Sequence, residues 1–172
     1  MPKDNKLEVW LRGTLPGIPQ LLQPIAHALL QAREDVDNLM NGFPEDYLWE
    51  KPAGLASVGF HLQHLSGVLD RLFTYARGEV LSLRQFEALF AEGGKQPGIT
   101  AADLISKFNL QVDKAIAQLQ NTREESFQET RGVGRENIPS TTFGILVHAA
   151  EHTQRHLGQL LVTAGIIRHK YL

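Results

Sequence analysis

Apolar residues recur along most of the chain at the spacing of one face of an α-helix, and this pattern predicts four long helices. With their capping residues, the predicted helices run from Pro19 or Leu22 to Met40, from Ser57 to Arg77, from Thr100 to Asn121 and from Ser140 or Thr141 to Ala164. A shorter amphipathic helix over Leu81–Ala91 follows the second. The alternation typical of β-strands does not persist for five residues anywhere. The sequence therefore predicts an all-α protein, a four-helix bundle with a short extra helix after helix two.

Segments rich in proline and glycine separate the predicted helices, and their length allows a crossover topology. The longest connection, Thr122–Pro139, is predicted to be a loop, either an ordinary solvated one or one that closes over a binding site. Gly165 is predicted to end the fourth helix. Four glycines inside predicted helices are expected to permit close approach of neighbouring helices: Gly59, Gly67, Gly144 and Gly158. With 172 residues, 42% of them hydrophobic, the chain is expected to form a single domain over residues 1–172.

Charge and cysteine content exclude several classes of protein. Lys plus Arg number 17 and Asp plus Glu 19, with no concentrated basic segment, so nucleic acid is not expected as a partner. The absence of cysteine excludes disulfide scaffolds, thiolate metal sites and cysteine nucleophiles. Residues 1–9 do not resemble a secretory signal, and no apolar run approaches the roughly 20 residues that span a membrane. We therefore expect a cytoplasmic protein that does not enter membranes.

Histidine is the residue type that points to chemistry, because five of the seven histidines fall in two short segments. On the fourth predicted helix, His148, His152 and His156 follow one another at four-residue steps and share one face. Two adjacent members can converge on one metal ion, whereas the first and third lie about 12 Å apart along the helix axis. The spacing leaves open which adjacent pair binds.

A catalytic metal site usually needs a third protein ligand. His61 and His64, three residues apart on the inward side of helix two, are the candidates. The segment from His148 to His152 also matches the H-x-x-E-H pattern of inverted zinc peptidases, with Glu151 as general base. Those enzymes take a further ligand from well downstream, and only twenty residues follow His152, which disfavours that class.

Two runs resemble the DinB-like superfamily of metal-binding four-helix bundles, which includes thiol-dependent transferases. They are SVGFHLQHL at 57–65 and HTQRHLGQL at 152–160. The resemblance implies metal ligands at His64, His152 and His156, with Gln159 as outer support. His61 is additional to the three histidines usual in that family and is a candidate extra ligand. It also implies zinc or nickel, with iron or manganese as alternatives, and a homodimer. Leu157 departs from the arginine common before the glycine of this motif, which bears on activity rather than on metal binding.

Three imidazoles leave an open position on a divalent ion, where a water or a low-molecular-weight thiol can be acidified. The resemblance thus implies a metal-dependent thiol transferase or a hydrolase acting on a small molecule. Glu151 and His148 are the candidate proton-transfer groups. Arg131 and Arg135, in the longest connection, are candidates for pairing with a carboxylate of the thiol cofactor or substrate. The alternative is a non-catalytic, metal-stabilised dimeric bundle with an interaction or stress-response role.

Overall fold

The structure, a computed structural model, describes residues 7–171. Most of the segment 1–9, on which the prediction of no secretory signal rests, lies outside the described residues. Within these residues, five α-helices and one β-hairpin form the fold, joined by short 3-10 turns. Their bounds are α1 Gln23–Met40, α2 Val58–Ala76, α3 Leu83–Phe90, α4 Ala101–Asn121, β1 Thr130–Val133, β2 Ile138–Thr141 and α5 Thr142–Tyr171. The predicted all-α bundle with a short extra helix after helix two is therefore confirmed.

Local capping chemistry fixes the starts of α2 and α4 where the sequence predicts them. The Ser57 hydroxyl accepts a hydrogen bond from the backbone N–H of Phe60 at the start of α2. Thr100 and Asp103 form a reciprocal capping box at the start of α4. Each side chain satisfies an N–H group that the first helical turn leaves without a backbone partner.

The four long helices form a ring around the core. α2 packs between α4 and α5, and α1 packs against the same two helices from the opposite side. Helix α1 runs parallel to α5, since Gln154 donates to the Ala28 carbonyl and Arg168 donates to the Leu39 carbonyl. Because α1 and α2 lie diagonally, the connection at 41–57 crosses one end of the bundle. This is a crossover topology, and it brings the histidine segments of α2 and α5 face to face.

The predicted loop Thr122–Pro139 contains a β-hairpin, so the prediction of an irregular connection is wrong. Thr130 pairs with Thr141 and Val133 with Ile138 across two antiparallel strands of four residues. Strands this short carry too few alternating positions to be recognised in sequence. Positive φ angles at Gly134 and Asn137 form the turn between them.

The prediction that Gly165 ends the last helix is also wrong, because α5 continues to Tyr171. Tertiary contacts hold the added turns. The Tyr171 ring stacks on Tyr47 with ring centroids 4.0 Å apart, and its hydroxyl donates to Glu50. Packing on the 41–57 connection thus outweighs the low helix propensity of glycine. Among residues 7–171, no helix combines the length and apolar character needed to cross a membrane.

Candidate metal centre

Three histidines predicted as ligands meet in the groove between α2 and α5. His64 comes from α2, and His152 and His156 come from successive turns of α5. One ring nitrogen from each lies within 4.8 Å of the other two, and all three residues are half-buried. The Nε2 atoms of His64 and His152 are 3.0 Å apart. Two nitrogens bound tetrahedrally at about 2.0–2.1 Å from a zinc ion would lie about 3.3 Å apart, so these residues fit such an ion.

The protonation of the site suits a cation. Burial, followed by repulsion from His64, lowers the pKa of His152 below its ordinary value. Burial, followed by repulsion from His64, His152 and His61, lowers the pKa of His156 to about 4. Both rings are therefore neutral at physiological pH, with lone pairs available to a metal. Within the described chain, His152 Nδ1 is buried without a hydrogen-bond partner, so part of this ring's bonding capacity is unused.

A carboxylate that sequence analysis missed orients His64. Nδ1 of His64 lies 2.7 Å from Oε2 of Glu92, and Arg71 donates to the other carboxylate oxygen at 2.6 Å. Burial raises the pKa of Glu92, but hydrogen bonds from His64 and Arg71 outweigh it and the net pKa is lowered. Because a carboxylate only accepts, Nδ1 of His64 carries the proton and Nε2 presents its lone pair to the groove. This is the usual outer support of a metal-binding histidine.

The segment after α3 is clamped so that Glu92 reaches His64. The side-chain carbonyl of Gln63 accepts from the Gly93 N–H at 2.7 Å, and its amide donates to the Gly94 carbonyl. Gly67 leaves the space that the carboxylate occupies, since a Cβ there would overlap Glu92 Oε1 and lie 2.8 Å from Arg71 Nη1. The prediction that helix glycines permit close helix approach is therefore wrong for Gly67. It is also wrong for Gly158, which has open space beside it.

Gly67→Ala is expected to weaken metal binding, because the added methyl group displaces the carboxylate that holds His64. Glycine to alanine inside a helix ordinarily stabilises by about 1 kcal/mol. The matched control is Gly158→Ala, which adds a methyl group in open space inside α5 and should stabilise without affecting metal affinity. Calorimetric zinc titration and thermal melts of both variants check this. Equal metal affinity in Gly67→Ala and the natural protein would contradict the role of this glycine.

The two predicted accessory residues lie on one side of the three ligands. His61 is 3% exposed, with its Nδ1 3.4 Å from Nδ1 of His156, and burial lowers its pKa. It therefore lies against the ring of a candidate ligand but is not itself a member of the group of converging histidines. Gln159 is exposed and lines a hollow next to His61, together with Leu55 and Val162. We call this cavity, about 520 Å³ in volume, the His61 hollow.

The predicted proton-transfer residues lie at the exposed edge of the site. Nδ1 of His148 is 3.4 Å from Oε2 of Glu151, and the His148 ring is 5.3 Å from the His152 ring. Both residues are about half exposed. A hydrogen bond from Arg155 lowers the pKa of Glu151, so this group is a carboxylate. With His152 they form a second group of converging ligand atoms, but it is more exposed than the first and shares His152 with it.

The two predicted arginines have different surroundings. Arg131 donates from Nε to the Ala76 carbonyl at 3.0 Å and from Nη2 to Glu129. The bond to Ala76 anchors the hairpin at the end of α2 that is far from His64. The structure does not bring it to the three histidines. The guanidinium of Arg135 lies over the Phe86 ring at 5.4 Å, and this residue is exposed. Of the two, only Arg135 makes no hydrogen bond from its guanidinium to any residue that the structure describes, so its N–H groups can meet a ligand.

The metal-free protein is expected to lose stability as the pH falls from about 7.5 to about 5. An unfolded histidine titrates near pH 6.5, whereas the folded pKa of His156 is about 4 and that of His61 is also lowered. Between the folded and the unfolded pKa, the unfolded chain binds protons that the folded site does not bind. Acid therefore favours unfolding. Urea midpoints at the two pH values check this. His156→Gln should flatten the dependence, and an unchanged slope would contradict the assignment.

These features define a helical bundle with a candidate metal site of three histidines from two antiparallel helices. A sequence model of the DinB superfamily matches residues 28–160, and the chain belongs to that superfamily. The crystal structure of a Streptococcus pneumoniae protein has a similar fold, with a TM-score of 0.65 and 12% sequence identity. The similarity covers 90% of this chain and 93% of that one. No protein of curated function matches the sequence.

Proposed function

We propose that this protein is a metal-dependent enzyme in which a low-molecular-weight thiol, or else water, attacks a small organic substrate. The observation that supports this most is the convergence of His64, His152 and His156, with nitrogens within 4.8 Å. Zinc or nickel is the ion that we expect for a set of imidazole ligands, with iron or manganese as alternatives. A divalent ion bound there supplies Lewis acidity, which lowers the pKa of a bound thiol or water.

The chain's own residues would fix the ligands and move the proton. Glu92 holds the His64 ring so that Nε2 faces the groove. His61, with its Nδ1 3.4 Å from Nδ1 of His156, would restrict the orientation of that ring. His148, half exposed at the edge of the site, would pass a proton to solvent, with Glu151 as its charged partner.

One hollow lies beside the site and a second lies one helical turn away from His64, and space for two ligands would suit transfer between two reactants better than hydrolysis. The His61 hollow lies on the side of the N-terminus of α2. A second hollow, which we call the α3 hollow, is lined by Val68 and Arg71 of α2 and by Phe86 of α3, among others. Val68 lies one turn beyond His64, towards the other end of α2. In the reaction that we propose, the thiol sulfur bonds to an electrophilic carbon, the leaving group departs with its electron pair, and the thiol proton passes to His148.

A thiol-consumption assay tests this reaction. Zinc- or nickel-loaded protein is incubated with glutathione or cysteine and with alkyl halide or epoxide substrates, while free thiol and substrate are followed together. Equal loss of both is expected, and no loss above background is expected in His152→Ala/His156→Ala. Substrate loss without thiol loss would point to hydrolysis. No turnover of any substrate would contradict an enzyme of this kind.

One observation favours the alternative, a metal-stabilised dimeric bundle without catalysis. The outer side of α5 exposes Leu161 and Val162 at 57% each and Ile166 at 48%, beside Gly158 and Gly165. Apolar side chains next to small residues suit helix packing between two copies of the chain. In this alternative the ion would be closed to exchangeable water, because structural sites fill every position with protein ligands.

A further inference from the structure

The α3 hollow has the size and lining of a small-molecule pocket. It measures about 320 Å³ and lies between α2, α3 and the turn of the hairpin. Val68, Leu72 and Tyr75 line it from α2, and Phe86 and Leu89 line it from α3. Small-molecule pockets typically span about 300–1,000 Å³ and are mostly apolar with a few polar groups that set orientation. This cavity therefore suits a compact ligand with an aromatic or branched aliphatic body.

The charges at this hollow are all positive. Two guanidinium groups line it, those of Arg71 and Arg135, and no acidic residue is among its lining residues within the described chain. The exposed guanidinium of Arg135 lies over the Phe86 ring, with Cζ 5.4 Å from the ring centroid, and no hydrogen bond within residues 7–171 occupies its N–H groups. Arg71 donates from Nη1 to Glu92, and this is the only hydrogen bond of its guanidinium within residues 7–171. The remaining donors match a carboxylate, which guanidinium groups bind with two parallel hydrogen bonds.

The hollow also connects to the candidate metal site through Arg71. This side chain is 9% exposed, lines the hollow and bonds to the carboxylate that holds His64. Val68 follows His64 by one helical turn, a rise of about 6 Å along the axis. A ligand in the hollow would thus lie next to Arg71, the partner of the carboxylate that supports His64.

We propose that the α3 hollow binds a small organic acid, with its apolar body against Phe86 and Leu89 and its carboxylate at Arg135 and Arg71. As the substrate site of the reaction, this rests on the proposed function. As a binding site, it stands on the lining and charge of the hollow alone.

The test uses metal-free protein and follows backbone amides by NMR during titration with 3-phenylpropanoate and with its neutral amide, 3-phenylpropanamide. Saturable shifts are expected at Phe86, Leu89 and Arg135, with the acid binding at least about threefold more tightly than the amide. Arg135→Gln should remove most of that preference. The matched control Arg84→Gln, an exposed arginine on α3 outside this hollow, should retain it. Phe86→Ala should weaken both ligands.

Absence of saturable shifts in the natural protein, or equal binding of the acid and the amide, would overturn the proposal. Full preference for the acid in Arg135→Gln would also overturn it. Arg135 is exposed, so this variant is expected to fold. Because the titration needs no metal, acid binding without any metal binding would retain this inference while the proposed function fails. Metal binding without acid binding would overturn this inference and leave the proposed function standing.

Discussion

Zinc or nickel added in excess to the metal-free protein is expected to raise its melting temperature by about 8–16 °C, and His156→Ala should remove most of that rise. A ligand at about a thousand times its dissociation constant stabilises the native state by about 4 kcal/mol. His156 is one of three converging ligands, so its loss leaves two imidazoles and an incomplete site. Thermal melts with and without the ion measure this effect.

His169→Ala provides the control for nonspecific binding of metal to histidine. His169 is an exposed residue near the end of α5, outside every group of converging ligands within the described chain. This variant should keep the full metal-dependent rise. An equal rise in His156→Ala and the natural protein would place the ion elsewhere, the exposed group that includes His148 and Glu151 being the first candidate.

Glu92→Gln is expected to weaken metal binding about 10–100-fold, the range typical for loss of an outer carboxylate. The change replaces the carboxylate that accepts a hydrogen bond from His64 Nδ1 with a neutral amide, so the ring is no longer held in one tautomer and orientation. It also leaves the buried guanidinium of Arg71 without its ion-pair partner, so the metal-free protein should be less stable. Competition titration of zinc against a chelator of known affinity gives the dissociation constant.

The matched control is Glu87→Gln, which removes an exposed carboxylate on α3 close in sequence to Glu92. Its zinc affinity should equal that of the natural protein. A melt of each variant shows whether the protein is folded at the titration temperature, so that lost affinity is separated from lost structure. Unchanged affinity in folded Glu92→Gln would mean that the carboxylate does not support the ligand.

Helix positions could be predicted because their signals are local. The caps at Ser57 and Thr100 each act within one turn, and both appear in the structure where the sequence places them. The last turns of α5 depend instead on Tyr171 stacking against Tyr47, 124 residues away in a segment whose position only the crossover determines. The hairpin was missed because each strand has only four residues.

The candidate site was predictable as far as helical periodicity reaches. Four-residue steps place His152 beside His156, and the resemblance to the DinB-like superfamily supplies His64 as their partner. No motif or helical spacing pairs Glu92 with His64, because that contact depends on a tight segment after α3 clamped by Gln63. Arg71 offered the one available signal: it lies seven residues after His64 on the same face of α2, and a buried charge needs a partner.

The central claim is that His64, His152 and His156 bind one divalent ion. Metal content per chain, measured by plasma mass spectrometry on protein purified without a histidine tag, tests it most directly. We expect about one equivalent of zinc, nickel, iron or manganese in the natural protein and almost none in folded His152→Ala/His156→Ala. A natural protein that is isolated empty and binds no added metal, or a double variant that retains its equivalent, would contradict the claim.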